Sequence, residues 1–263
     1  MNANSLSDSQ LYKLLLVKLM ELQLRNWGNF CRYYSGDLYG TWTRYCLESN
    51  FRESFQCIRS FRVNDDCSEI SHQNHYIYAD GTRLSKTFGP YLKPITKGLF
   101  LDTCFSWGST RVEPGIPFFF DTCLRDEDRR ASAIARYDES GSLQRITVMV
   151  ENLNSFAESS PISEVNNEND NWQGTLIKMT PDWIVYPETA TSWIQLKDLS
   201  ENYQNFYLKD GVAVSFPQSV ESGRMFFLAM DWQSSHTNKQ RAIRHYNPSG
   251  FTSLTLEVFN LLS

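Results

Sequence analysis

One pattern occurs twice in this chain, and it limits what the chain can fold into. Residues 134–152 read IARYDESGSLQRITVMVEN and residues 243–260 read IRHYNPSGFTSLTLEVFN. Each is a strand ending in an aromatic residue, then a Ser-Gly turn, then a strand of strict apolar alternation. Tyr137 matches Tyr246, Asp138 matches Asn247, and Ser140-Gly141 matches Ser249-Gly250. The second copy has one residue fewer before its alternating run, where Leu254, Leu256 and Val258 stand for Ile146, Val148 and Val150; a hairpin loop absorbs that difference without turning the faces over. The offset from Tyr137 to Tyr246 is 109 residues in a chain of 263, which predicts two units of roughly barrel size.

The rest of the chain fits that frame. Ser7 or Asp8 can cap a helix over about residues 9–25, where Leu11, Leu14, Leu15 and Leu22 recur at helical spacing; it is expected across a barrel mouth or edge. From Tyr39 the period becomes two, with strands predicted near 39–47, 53–63, 69–79, 83–88, 97–107, 116–124, 131–138 and 143–153. Residues 154–170 are rich in Ser, Asn and Glu and read as a linker. Beyond them come strands near 172–180, 182–187, 191–197, 203–208, 211–217, 224–232, 239–247 and 252–260. So many short antiparallel strands would expose edges unless the sheets close, and the expected fold is all-β, two tandem antiparallel barrels with an N-terminal helix. The units are expected at 1–153, helix included, and at 171–263.

Composition narrows the partners. The net charge of -5, with both signs interspersed, gives no footprint for nucleic acid or an anionic membrane. The first residues lack a charged leader, and the apolar stretch Leu11 to Leu24 is broken by Lys13, Lys18, Glu21 and Gln23, so neither a signal peptide nor a membrane insertion is expected, and the predicted compartment is the cytoplasm. Six cysteines without a CxxC read as reduced and mostly buried small hydrophobes. Aromatic residues make up 14% of the chain, which suits either a β-rich core or an aromatic-lined cavity.

Motifs for nucleophilic, phosphate-binding or metalloprotease chemistry are absent. His72 and His75 form H-x-x-H, but on a strand that spacing puts them on opposite faces, so no metal or cofactor is expected. Arg59, Arg136 and Arg244 lie among apolar residues within predicted strands, as structural ion pairs or as anchors for a ligand's polar end. Arg59 shares a face with Phe61 by parity. Trp107, Trp183, Trp193 and Trp232 are either wall residues for a flat ligand or ordinary plugs. The apolar run Ile116 to Phe120 is expected between the two barrels.

Gly40-Thr41-Trp42, opening the first strand after a helix, is similar to the lipocalin and calycin Gly-x-Trp motif, in which the Trp plugs the barrel base beneath a basic residue from the last strands. Arg136 stands where that residue would come from. The runs NWGNF, YGTWTRY, SFQCIRSFR, HQNHYIYADGT, IARYDESG, YLKDGVAVSFPQSV, AMDWQ and IRHYNPSGFTSLTLEV, in that order, resemble the largely cyanobacterial family catalogued as domain of unknown function 3598, grouped with the calycins. The resemblance implies tandem lipocalin-like barrels and no particular ligand. In the second unit Trp172-Gln173-Gly174 inverts the motif, leaving its plug open to question.

The function expected is binding of a small, largely hydrophobic molecule, such as a pigment, isoprenoid, lipid or secondary metabolite, in the first barrel. Trp42, Arg44, Arg59, Phe61, Tyr78, Trp107 and Arg136 are the candidate ligand-binding residues. A cofactor-independent cyclase or isomerase using the barrel as a template is the alternative, with His75 and Tyr76 as candidate catalytic residues. A scaffold or interaction module is the third reading. The oligomeric state is left open.

Overall fold

The computed structural model describes residues 7–46, 51–156, 162 and 171–262. The helix α1 runs Asp8–Tyr33, and its start is fixed by a capping box in which the Ser7 side chain accepts from the Gln10 backbone while the Gln10 side chain accepts from the Ser7 backbone. It is longer than its leucine spacing predicts, and the burial is elsewhere. Asn26, Trp27 and Phe30 are buried, whereas Leu11, Leu14, Leu15 and Met20 are exposed.

Nine strands follow: β1 Gly36–Tyr45, β2 Phe51–Val63, β3 Glu69–Ile77, β4 Arg83–Leu92, β5 Gly98–Phe100, β6 Cys104–Gly108, β7 Phe118–Asp126, β8 Arg129–Tyr137 and β9 Leu143–Leu153. They pair in the order β4-β3-β2-β1-β9-β8-β7-β6-β5, every pair antiparallel. The strand predicted over 97–107 is two strands, because the chain turns at Leu101–Thr103. Among the described residues β4 and β5 share no backbone ladder; side chains bring the two ends of the sheet together. Tyr91 of β4 lies 5.2 Å from Trp107 of β6, and Phe30 of α1 packs between Tyr91 at 5.8 Å and Phe100 of β5 at 4.4 Å. The helix end thus fills the gap and covers edges that would otherwise be exposed.

The second sheet has seven strands among the described residues: β10 Trp172–Met179, β11 Thr189–Ser192, β12 Gln204–Tyr207, β13 Val212–Phe216, β14 Phe226–Gln233, β15 Asn238–Asn247 and β16 Gly250–Leu261, in the order β11-β10-β16-β15-β14-β13-β12. The strand predicted over 182–187 is instead a turn with one bridge, Met179 to Val185, and Trp183 there takes a positive φ of 64°. The end of the strand predicted over 191–197 becomes a short helix, α2 Leu196–Leu199. Of the expected linker, residues 154–156 and 162 are described: Asn154 N–H donates to Asp37 O, Phe156 packs edge-on against Tyr39 at 5.2 Å, and Ile162 is buried; residues 157–161 and 163–170 lie outside the described residues.

The two sheets share one core. Side chains of β7, β8 and β9 that point away from the first barrel, among them Phe118, Phe120, Ala131, Ala133, Ala135 and Ile146, join Phe216, Leu228, Met230, Trp232, Ala242 and Leu256 of the second sheet. Of the apolar run Ile116 to Phe120, Phe118 and Phe120 lie between the sheets, with Phe120 edge-on to Phe216 at 5.6 Å, whereas Ile116 is exposed and Phe119 faces the other side of β7. Three alanines in alternation on β8 leave room for that approach.

The repeated pattern sits at this junction and works across it. Tyr137 of β8 donates its hydroxyl to the Pro217 carbonyl of the second sheet at 3.0 Å, and Tyr246 of β15 donates to the Ser109 carbonyl of the first at 2.7 Å. Both rings meet Phe118 edge-on, at 5.7 and 5.5 Å. The turns that follow exchange backbone contacts as well: Val220 N–H donates to Gly141 O, and Phe251 N–H donates to Thr110 O. A side chain on Gly141 would stand 2.1 Å from the Val220 carbonyl oxygen, and one on Gly250 would stand 2.6 Å from that of Thr110, so both turns need glycine.

Candidate functional site

Alternation along the strands of the first sheet sends one set of side chains inward. They enclose a cavity of about 420 Å³, of the size that takes a small organic molecule. Its floor, at the α1 end, is aromatic: Phe30, Tyr34, Phe100 and Phe105 pack against one another there. Trp42, Phe61, Phe88, Tyr91 and Trp107 continue the wall.

Charge is distributed unevenly over this surface. Deep in the cavity Arg59 forms an ion pair with Glu151, whose other oxygen accepts from Trp42 Nε1 at 3.0 Å. Arg59 lies over the rings of Trp42 and Phe61, at 5.8 and 5.6 Å. The basic residue over the Gly-x-Trp tryptophan is therefore Arg59 of β2, and the expectation for Arg136 is corrected. The reason is register: Glu151 on β9 lies within reach of both Trp42 and Arg59, and holds the guanidinium there. Arg130, also deep, donates to the Tyr33 and Tyr34 carbonyls and lies over the Tyr34 ring. Arg136 instead reaches the rim, where it is exposed, with Arg44 and Arg145 on the neighbouring strands.

A polar chain crosses the other wall. His72 is stacked between Phe61 at 4.2 Å and Phe88 at 4.8 Å, with one ring nitrogen 2.9 Å from the Tyr91 hydroxyl and the other 2.9 Å from Asn74 Oδ1. Asn74 in turn donates to the Tyr76 hydroxyl at 2.9 Å. Burial and the positive charge of Arg59 hold the His72 imidazole down, to a pKa of about 4, so it is neutral at physiological pH. It then accepts from Tyr91 and donates to Asn74, and the Tyr76 hydroxyl keeps its own proton to donate.

Asp121 of β7 also lines the cavity. One of its oxygens, Oδ1, is buried without a hydrogen-bond partner, and burial raises the carboxyl to about 7, above the pull of Arg59 in the other direction. Burial also pushes the Cys57 thiol up to about 12 and the Cys104 thiol well above its ordinary value, which removes both as thiolate nucleophiles. Among the described residues no cluster of His, Cys, Asp and Glu could hold a metal ion.

Of the residues singled out in the sequence, Trp42, Arg44, Arg59, Phe61, Tyr76, Trp107 and Arg136 line this cavity. Tyr78 lies behind it, packed on Phe55 at 5.1 Å. His75 is a correction: parity carries it to the outer face of β3, where it hydrogen-bonds Ser85 at 2.8 Å, and its neighbour in the motif, His72, is the inward histidine. Sequence reasoning missed Asp121 and Arg145. For Asp121 the signal was available, since it alternates with Phe119 opposite the outward Phe118 and Phe120.

In the second sheet the inward face of β14 and β15 is filled. Arg241 grips Asp231 through two bonds of 2.6 and 2.8 Å and also donates to the Ile194 carbonyl. Trp172 is buried under Lys239 at 4.3 Å, and Trp193 lies under Lys239 and Arg241, so a tryptophan beneath a basic residue is present here too. Gly174 pairs with Phe259 of β16 as Gly40 pairs with Glu151 of β9; the glycine keeps its place, and the tryptophan lies on its other side.

A second cavity, of about 530 Å³ and open to solvent, lies at the edge of the junction, between residues 111–116 and the turns at 221–226 and 246–250. No helix among the described residues is long and apolar enough to cross a membrane.

Comparisons with known proteins agree with this architecture. A protein of unknown function from the DUF3598 family of Nostoc punctiforme superposes with a TM-score of 0.74 at 19% identity, covering 90% of this chain and 99% of its own. A putative outer membrane protein of Bacteroides fragilis has a TM-score of 0.26 at 11% identity, covering 86% of this chain and 97% of its own, too low to carry an argument. No curated protein matches. Residues 188–259 match the family described as the C-terminal domain of biogenesis factor required for ATP synthase 1. Residues 23–156, half of the chain, match the N-terminal domain of DUF3598, and the chain belongs to that family of domains of unknown function.

Proposed function

We propose that the first barrel binds a small, largely hydrophobic molecule. The observation that carries this is the cavity of about 420 Å³ walled by aromatic side chains, left open while the inward face of the second sheet is packed. Removal of apolar surface from water supplies the affinity, on the order of 25 cal/mol per Å² buried. Arg59 is already matched by Glu151, so the polar end of the molecule falls to the rim arginines. Native mass spectrometry of protein purified from its own organism tests the reading: an added mass that leaves on organic extraction supports it. Failure of both the purified and the extracted protein to take up any apolar fluorescent probe counts against it.

Two observations favour other uses of the same molecule. Asp121, whose Oδ1 has no hydrogen-bond partner and whose carboxyl holds its proton up to about pH 7, faces a cavity that also holds the Tyr76 hydroxyl, which suits acid-assisted cyclisation or isomerisation of a bound substrate. Turnover lost in Asp121→Asn with binding retained supports that reading. The exposed apolar residues of α1, with the match of residues 188–259 to a biogenesis factor, suit a role in assembling other proteins. A stable complex lost when Leu11, Leu15 and Met20 become serine supports it.

A further inference from the structure

We propose that the ligand of the first barrel is an amphiphile with a carboxylate head, held at the cavity rim by Arg136 and Arg145; the proposal rests on the hydrophobic-ligand reading above. Arg136 and Arg145 are direct cross-strand partners on the inward face of β8 and β9, and Arg44 stands beside them on β1, opposite Thr147. Like charges directly opposite one another destabilise a sheet. The other arginines that line the cavity are matched: Arg59 by Glu151, Arg44 by Glu53, and Arg130 by two carbonyls, while Lys86 lies over the Phe88 ring. Among the described residues neither Arg136 nor Arg145 has a carboxylate within ion-pair distance; the buried Nε of Arg145 has no hydrogen-bond partner, as is also true of the Nε of Arg44, Arg59 and Arg130.

Burial and the field of Arg44, Arg136 and Arg52 together lower the pKa of Arg145, against a smaller opposing pull from Glu53. Two unmatched guanidinium forks at one end of an aromatic cavity therefore complement an anion whose body is apolar. A carboxylate fits that description, because its two oxygens lie in one plane and can accept from both forks at once.

The test uses cis-parinaric acid and its methyl ester, which share one apolar chain and differ in the charge at its head, with binding read by their fluorescence. Wild-type protein is expected to bind the acid more tightly than the ester by roughly tenfold, the scale of a charge-assisted hydrogen bond. In R136Q/R145Q the acid is expected to lose more affinity than the ester, so that the ratio of the two affinities falls to about one. Should the double variant not fold, Arg136→Gln alone carries the test, since Arg136 is exposed and its loss leaves no buried group behind; part of the preference then disappears. Equal affinity for acid and ester in wild type, or a preference that survives the substitutions, overturns the proposal and leaves the hydrophobic-ligand reading standing. If folded wild-type protein, purified and extracted, binds neither probe, the proposal fails, and the hydrophobic-ligand reading fails with it only where every other apolar probe is refused as well.

Discussion

Asp121 shows how far a single side chain can depart from the behaviour of its type. In the unfolded chain its carboxyl ionises near 3.8, and in the folded barrel near 7. The folded state holds the proton more tightly, so stability is fully present below pH 3.8, falls as pH rises toward 7, and stays lowered above it. Asp121→Asn removes the group that must ionise. It is expected to raise Tm at pH 8 by several degrees and to change it little at pH 4, in thermal melts followed by circular dichroism. No such shift at pH 8 would mean that Arg59 compensates the buried charge in full. The sequence made the inward arginines legible but not their division of labour. Parity alone puts Arg59 and Arg136 in one barrel; the Glu151 that neutralises one and leaves the other is 92 residues from Arg59. His75 misled for a related reason, since a strand offers two faces and nothing local says which is the inner one.

At the level of elements, most strands were legible from their apolar patterning and turn residues, including those buried on both faces. β7 to β9 and β14 to β16 sit within about two residues of their predicted bounds. Residues 182–187 alternate like a strand, yet Trp183 turns back to cover the shared core. In α1 the leucine spacing marks Leu11, Leu14 and Leu15, which stay exposed, and Leu22, which is half-buried against the shared core, while the fully buried turn begins only at Asn26. The two Ser-Gly turns supply a sharp test. Ala in place of Gly141 or Gly250 meets both an unfavourable φ, of +81° and +123°, and a carbonyl of the opposite sheet. Each is expected to cost about 2–4 kcal/mol in urea denaturation. Gly223→Ala is the control, because its φ of +77° is similar but nothing lies within 4 Å of the added carbon; its cost should be nearer 1 kcal/mol. Equal losses at all three positions would show that the close approach across the junction contributes nothing.

For the whole molecule, the shared core predicts that the two sheets unfold together. Residues 1–156 alone would present Phe118, Phe120 and Tyr137 to water, and that fragment is expected to aggregate or stay partly unfolded, as size-exclusion chromatography and near-ultraviolet circular dichroism would show. A soluble, fully folded monomer of that fragment would contradict the shared core. The reciprocity of the tyrosines has one more consequence. A contact in which one position reaches a second, while the counterpart of the second reaches back to the counterpart of the first, has the form of an isologous interface, the kind that joins identical subunits about a two-fold axis. Here both partners belong to one polypeptide, so the pairing is intramolecular and does not weaken on dilution. Covalent union also frees the halves from being identical. That freedom lets one lumen be packed with tryptophan, lysine and arginine while its pseudo-symmetric counterpart stays open, an asymmetry that two copies of a single sequence could not hold.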